Sequence, residues 1–198
     1  MKKLQTQVLS LIIMAGIIMG LVGVAYIWGA PMIEKRTVYT QYTSAAKFVS
    51  DLNDKITSIA STCTTPGGCT YTMDIPGIES SVIIFDNAQN TLYYKFPSKQ
   101  KMLTEDEIAI NTPYTGEPAD YGTAPPGVIK ASGNNEGDTY VIQFALKYRK
   151  LIDQESGVGY RIAINGQASG RNKVIISYGG TVQDADGTTV SSIDLNVI

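Results

Sequence analysis

Residues 4–33 contain no charged side chain, and this run constrains the fold more than any other feature of the chain. Within it, residues 8–28 are almost wholly apolar. Twenty-one residues of α-helix extend about 31 Å, close to the roughly 30 Å hydrocarbon thickness of a bilayer. Tyr26 and Trp28 stand at the far end, where aromatic rings prefer the headgroup level. The run therefore predicts a membrane-spanning helix.

A cleaved secretory signal peptide is the alternative explanation of this run. Such peptides have an apolar region of about 7–15 residues, followed by a small-x-small cleavage site. The run here is longer, and Pro31 would follow the best candidate cut. We therefore predict that residues 1–33 form a permanent anchor.

The apolar run contains glycines at a spacing that occurs where membrane helices touch. Gly16 and Gly20 form a G-x-x-x-G step, and Gly23 follows three residues later. Small residues of this kind let two helix backbones approach closely in a bilayer. Glycine is also common in membrane helices generally, so the pattern is compatible with a packing face and with chance composition.

Residues 34–61 have the strongest periodic pattern in the chain. Its apolar positions, at alternating spacings of four and three, are Val38, Tyr42, Ala45, Val49, Leu52, Ile56 and Ile59. This spacing predicts an amphipathic helix that continues the apolar one, giving a single helix over residues 5–61 with a kink near Gly29 and Pro31. The stripe either packs against the chain's own domain or forms a seam between neighbouring subunits. The two interpretations are compatible with each other.

The two cysteines indicate the compartment of the remaining residues. Cys63 and Cys69 enclose a Thr-Thr-Pro-Gly-Gly turn, which brings the two sulfurs within bonding reach. The alternatives are two reduced thiols or half of a zinc site, but the chain has no histidine to complete a usual zinc site. We favour a disulfide, which places residues 62–198 in an oxidising, extracellular environment.

After Cys69 the helical period disappears and short runs of β-branched and aromatic residues follow. The predicted strands are residues 71–75, 81–85, 91–96, 127–131, 139–148, 159–164, 172–178 and 190–197. Turns are predicted at residues 86–90 and 133–138, at Asn165-Gly166 and at Asp186-Gly187, and a proline-rich exposed loop is predicted over residues 111–127. The fold class is therefore α+β: a long N-terminal helix followed by an antiparallel β-sandwich-like domain.

Chemistry-bearing motifs are scarce. The absence of histidine removes the commonest general base and metal ligand, and a net charge of −2 does not favour nucleic acid as a partner. Residues 184–187 start like a calcium loop but lack its glycine and glutamate spacing, so a hairpin turn is favoured. The acidic residues 105–107 are interpreted as a solvated loop. We expect no catalytic residues, no metal site, no cofactor and no enzymatic activity.

The residues Lys2 to Ser10, together with the helix to about residue 60, resemble the start of archaeal type IV pilin-like proteins. The resemblance implies that the short basic leader is a class III signal peptide, cut by a prepilin-type peptidase near Lys3 and Leu4. It also implies a chain that is first membrane-anchored and then polymerises with copies of itself, using an assembly ATPase and platform protein. In that family the β domain faces outward from the filament.

The leading functional prediction is therefore a structural subunit of an extracellular, pilus-like filament that assembles through its N-terminal helix. The alternative is a single-pass, membrane-anchored accessory or stator-like protein whose β-sandwich binds the cell envelope or another machine. Retention of the basic residues at the N-terminus favours the alternative.

Overall fold

A computed structural model of the chain describes the backbone of residues 2–198 and the side chains of residues 11–198. The predicted processing positions Lys3 and Leu4 lie outside the residues whose side chains are described. The chain divides into two compact units, one ending at Thr40 and the other comprising Gln41–Ile198. One helix, α1 (Lys2–Thr62), runs through the boundary. The second unit therefore includes the last part of the predicted amphipathic helix as well as the β domain.

Helix α1 continues through Pro31, although proline has no amide hydrogen to donate to the preceding turn. It ends after Thr62, whose hydroxyl donates to the carbonyl of Ser58. The next residues turn through Gly67, whose φ of 71° suits a residue without a Cβ. The helix thus ends at the predicted turn, one residue beyond the predicted boundary.

The predicted disulfide is confirmed. Cys63 and Cys69 are bonded, with their Cα atoms 6.2 Å apart, and no free cysteine is present. Cys63 follows the last residue of α1, and Cys69 precedes the first strand. The bond therefore ties the end of the helix to the start of the β domain.

Within the described residues, eleven strands form two sheets. They are β1 (Thr70–Asp74), β2 (Val82–Asp86), β3 (Thr91–Ser98), β4 (Ile108–Ala109), β5 (Ala119–Asp120), β6 (Gly127–Glu136), β7 (Thr139–Tyr148), β8 (Leu151–Ile152), β9 (Gly159–Ala168), β10 (Lys173–Gln183) and β11 (Thr189–Val197). One sheet has the order β1-β10-β11-β9-β8-β5, and the other has the order β2-β3-β7-β6-β4. The predicted α+β class with a sandwich-like domain is confirmed.

Two strand pairs depart from the antiparallel prediction. β9 and β11 run parallel, as do β5 and β8, whereas the other pairs are antiparallel. β11 turns back from β10 and inserts between β10 and β9, so it has the direction of β9. Strands joined by a hairpin run antiparallel, but β9 and β11 are not consecutive along the chain, so no hairpin sets the direction of their pairing.

The predicted turn at Asn165-Gly166 is wrong, because both residues lie inside β9. A Cβ built on Gly166 would come within 1.9 Å of the Phe85 ring. The glycine is therefore explained by the close approach of an aromatic ring to a strand, which is a known use of glycine in sheets.

Two further boundaries also differ. Residues 133–136, predicted as part of a turn, continue β6 up to Glu136. The proline-rich segment contains β5, because the backbone of Ala119 bonds to that of Lys150 and pairs with β8. A two-residue strand has no periodic pattern by which the sequence reveals it.

The core of the second unit lies between the sheets and beside the C-terminal part of α1. Alternate residues of β3 and β7 point inward and are almost fully buried: Leu92, Tyr94, Phe96, Ile142, Phe144 and Leu146. Phe48 of the helix contacts the ring of Tyr94, with ring centroids 5.4 Å apart. Ser191 of the other sheet donates a hydrogen bond to the carbonyl of Ala60 at 3.4 Å. This part of the helix therefore contacts both sheets.

Candidate functional site: the apolar helix

The apolar part of α1 is uncovered along the described residues 11–33. Its large side chains are exposed on every face, from 53% for Ile18 to 80% for Trp28. A helix that is apolar all round needs a bilayer or other protein as its surroundings, since water is unfavourable for every face. This segment is therefore the surface of the chain that most clearly requires a partner or a lipid phase.

The dimensions of the segment suit a membrane. Among the described residues there is one helix long and apolar enough to span a bilayer, the part of α1 from Leu11 onward. Residues 11–33 extend about 34 Å at 1.5 Å per residue, slightly more than a hydrocarbon core of about 30 Å. Tyr26 and Trp28 lie near its C-terminal end with most of their surface exposed. The helix is a candidate membrane anchor.

The three predicted packing glycines have no neighbours within the chain. A Cβ built on Gly16, Gly20 or Gly23 meets no atom within 4 Å. At about 100° per residue, the spacings of four and three place all three on one face of the helix. The packing of this chain with itself does not require glycine at these positions, so the face is open to another helix.

The predicted apolar stripe is divided by the boundary between the two units. Val38 belongs to the first unit. In the second unit, Tyr42 is half-buried and contacts the ring of Phe144 at 5.4 Å. The remaining stripe residues are buried in the core: Ala45, Val49, Leu52, Ile56 and Ile59. From Tyr42 onward the stripe packs against its own domain, so these residues do not form the seam between subunits.

On the opposite side of the helix the side chains are polar. Lys47 and Asp51, one turn apart, form an exposed ion pair at 2.6 Å. Exposed pairs of this kind stabilise a helix by about 0.3–0.5 kcal/mol. The division into a buried apolar stripe and a solvated polar face is that of a surface helix of a globular domain.

Three buried polar groups that sequence reasoning missed lie where the helix meets the sheet. Asn53 Oδ1 is buried without a hydrogen-bond partner among the described residues, and Thr57 Oγ1 and the Tyr148 hydroxyl are buried beside each other. Burial raises the pKa of Tyr148 well above its usual value, with Asp54 adding to the effect. A Cβ on Gly127 would come within 2.0 Å of Asn53 Oδ1. Glycine at this position therefore allows the helix to pack closely against β6. No sequence pattern identifies this contact, because its members are far apart along the chain.

The motifs considered for metal or acid–base chemistry lie in turns. Asp184-Ala-Asp-Gly187 forms the connection between β10 and β11, where the backbone carbonyl of Asp184 accepts a hydrogen bond from the Gly187 amide at 2.9 Å. Hydrogen bonds from Lys150 and Thr188 lower the pKa of Asp186 far below its usual value. In the acidic segment, Glu107 pairs with Lys130 at 2.8 Å. Within residues 11–198, no group of three or more potential metal ligands is present.

Comparisons with known proteins add no relative. No protein-family model matches the sequence, no curated protein matches it, and no solved structure matches the fold.

Proposed function

We propose that this chain is a structural subunit of an extracellular filament of the type IV pilus kind, assembled through its apolar N-terminal helix. The observation that carries the proposal is the division of one continuous helix. Residues 11–33 are apolar and exposed, whereas residues 41–62 belong to a disulfide-bonded β domain and form part of its core. Such a helix contributes both a polymerising segment and part of the core of a folded domain.

The energetics favour two successive environments for the apolar segment. Burying apolar surface contributes about 25 cal/mol per Å², so the fifteen exposed large apolar side chains of residues 11–33 strongly disfavour water. A bilayer provides one such environment before assembly, and a bundle of identical helices provides another after it. The open glycine face, at Gly16, Gly20 and Gly23, lets the backbones of neighbouring copies approach closely.

The proposal implies particular partners. Copies of the chain contact one another through the helix, a prepilin-type peptidase removes the leader near Lys3, and an assembly ATPase and platform protein drive polymerisation. The disulfide between Cys63 and Cys69 fits an oxidising location for the β domain. No nucleic acid and no catalytic step is part of this function.

The second candidate is a permanently anchored accessory protein of the cell envelope. It is favoured by the length of residues 11–33, which suffices for anchoring without assembly. In that case the β domain binds an envelope layer or another machine, and the glycines of the helix have no assembly role.

The decisive experiment is intact mass and N-terminal sequencing of material sheared from the surface of the native host. The filament proposal expects sheared fibres whose subunits start near Leu4 to Thr6. Subunits with an intact Met1, found only in the membrane fraction, would refute it and support the accessory protein.

A paired substitution tests the role of the glycines. Alanine at both Gly16 and Gly20 adds two methyl groups at positions with no neighbour in this chain and raises intrinsic helix propensity by up to about 1 kcal/mol each. We expect the double variant to be stable as a monomer but to form fewer fibres. Gly29→Ala is the matched control, because Gly29 also has no neighbour and lies about 140° around the helix from Gly16. Equal loss of fibres in both variants would contradict a specific packing face.

A further inference from the structure

A cleft of about 230 Å³ lies on the outer face of the five-stranded sheet. Its floor follows the strand register in two rows: Thr91, Lys147 and Val128 in one, and Tyr93, Ala145 and Lys130 in the next. The segment between β4 and β5, with the residue before β4, supplies the side walls through Glu107, Thr115 and Glu117. The cleft is therefore built by residues from four parts of the β domain.

The cleft exists because the residue at the centre of its floor has a small side chain. Ala145 lies in register between Tyr93 and Lys130, and Lys147 is the diagonal neighbour of Lys130 on the next strand. Diagonal positions are about 7–8 Å apart, so long side chains at both positions stand on either side of the alanine. An alanine among such side chains leaves the space that the cleft occupies.

The charge in the cleft is unevenly compensated. Three cationic side chains line it, from Lys130, Lys147 and Arg149, against the two carboxylates of Glu107 and Glu117. Lys130 lies 2.8 Å from Glu107, but Lys147 lies 3.5 Å from Glu117 and is half exposed. The Lys147 ammonium therefore has donors available for a ligand.

Arg149 adds positive charge that no carboxylate neutralises by contact. It is 2% exposed, and its Nε and Nη1 donate to the carbonyl oxygens of Pro125, Tyr114 and Gly116 at 2.7–3.2 Å. Nη2 has no hydrogen-bond partner among the described residues, and burial lowers the pKa of the guanidinium. Glu117 acts on the guanidinium without touching it, and burying a charge that no carboxylate contacts is costly, so an anion in the adjacent cleft is electrostatically favoured.

We propose that this cleft binds the carboxylate of a single acidic sugar ring, of the hexuronic acid class. One negative charge balances the surplus of one positive charge, whereas a dianion leaves a repulsive excess beside Glu107 and Glu117. Gln89 and Thr115 provide polar groups for ring hydroxyls, whereas the Thr91 hydroxyl donates to the backbone carbonyl of Gln89 at 3.0 Å. The volume is below the roughly 300–1,000 Å³ of sites for larger ligands, so it suits one ring. The site is independent of whether the helix forms a filament.

The test uses the full chain in lipid nanodiscs, which avoids sugar-based detergents. Saturation-transfer NMR compares sodium D-glucuronate and D-galacturonate with D-glucose, which has the ring without the carboxylate, and with acetate, which has the carboxylate without the ring. We expect saturation transfer to at least one of the two uronates and much less to the other two probes. Inorganic phosphate is expected to compete poorly.

Substitutions locate the binding. Lys147→Gln removes the available ammonium, and Ala145→Val fills the centre of the floor with a β-branched residue that strands accept. Each is expected to weaken uronate binding at least tenfold. Lys95→Gln is the matched control, since Lys95 lies in the next row of the same face, is paired with Glu136, and does not line the cleft. An unchanged unfolding midpoint shows that each variant is folded.

Three results would overturn the proposal: glucose binding as well as both uronates, phosphate outcompeting them, or wild-type affinity in Lys147→Gln. If Ala145→Val does not fold, the exposed Lys147 still decides the outcome. None of these results depends on fibre formation, so failure of the uronate proposal is distinguishable from failure of the filament proposal.

Discussion

Replacing Asn90 by alanine is expected to destabilise the β domain more than most single substitutions. Asn90 lies between β2 and β3 with a φ of 55°, a conformation that asparagine tolerates better than alanine. Its side-chain amide donates to the carbonyls of Tyr148 at 3.0 Å and Ile162 at 2.6 Å, and its oxygen accepts from the amide of Ile164 at 2.8 Å. One side chain thus joins the two sheets.

The magnitude follows from these contacts. Each hydrogen bond contributes about 0.5–1.5 kcal/mol net, and forcing alanine into the left-handed region costs about 1–2 kcal/mol. We expect a loss of about 3–5 kcal/mol in the free energy of unfolding of the second unit. At about 2–4 °C per kcal/mol for a unit of this size, the midpoint should fall by roughly 6–20 °C.

The assay is thermal unfolding of the full chain in detergent, followed by near-ultraviolet circular dichroism of its twelve tyrosines. Asn90→Asp separates the two halves of the amide, because it keeps the acceptor for Ile164 but places a carboxylate against two carbonyl oxygens. That variant should be destabilised at neutral pH and partly recover below about pH 4, where the carboxyl regains a donor. Gln89→Ala, at the exposed neighbouring position, is the control. A change of less than about 1 kcal/mol in Asn90→Ala would refute the bridging role.

Three further predictions concern the same domain. Leu52→Ala, at a fully buried position of the stripe, should lower the free energy of unfolding measured with denaturant by about 3–5 kcal/mol. A loss below about 0.5 kcal/mol, as is usual at surface positions, would show that the helix does not belong to the core. Replacing both cysteines by serine should lower the free energy of unfolding by about 2 kcal/mol, because the disulfide closes a short loop and restricts the unfolded chain. The loss is measured as a shift in the denaturation midpoint, and reduction of the native protein should produce the same shift. Hydrogen bonds from Lys150 and Thr188 lower the pKa of Asp186, so the stabilisation from this carboxylate is present above the ordinary value of 3.8 and is lost as pH falls through the lower folded-state pKa. Asp186→Asn should therefore have a midpoint that changes less with acidification than the wild type does, and parallel pH profiles would contradict this.

Several strands were predictable because their side chains alternate. β7 matches its predicted range of 139–148, and β3 alternates buried and less buried residues along its length. Their β-branched and aromatic residues supply a signal that needs no knowledge of the partner strand. By contrast, β4, β5 and β8 have two residues each and carry no period.

Local turn signals were reliable only where no distant side chain competed. Asp186-Gly187 lies in a hairpin connection, as predicted, whereas Asn165-Gly166 lies within a strand beside the ring of Phe85. The two dipeptides have similar intrinsic preferences. What separates them is a contact with a residue about eighty positions away, which propensity does not encode.

The sequence by itself determined the apolar helix, its amphipathic continuation, the disulfide and the β-rich class, because each depends on residues close together along the chain. Only the tertiary structure decided the sheet order, the parallel insertion of β11, the bridging by Asn90, and the cleft around Ala145. The physical reason is the distance along the chain between the contacting groups. Periodicity and turn chemistry are local, whereas the choice of strand partners and the burial of polar side chains depend on the free energy of the whole packed domain.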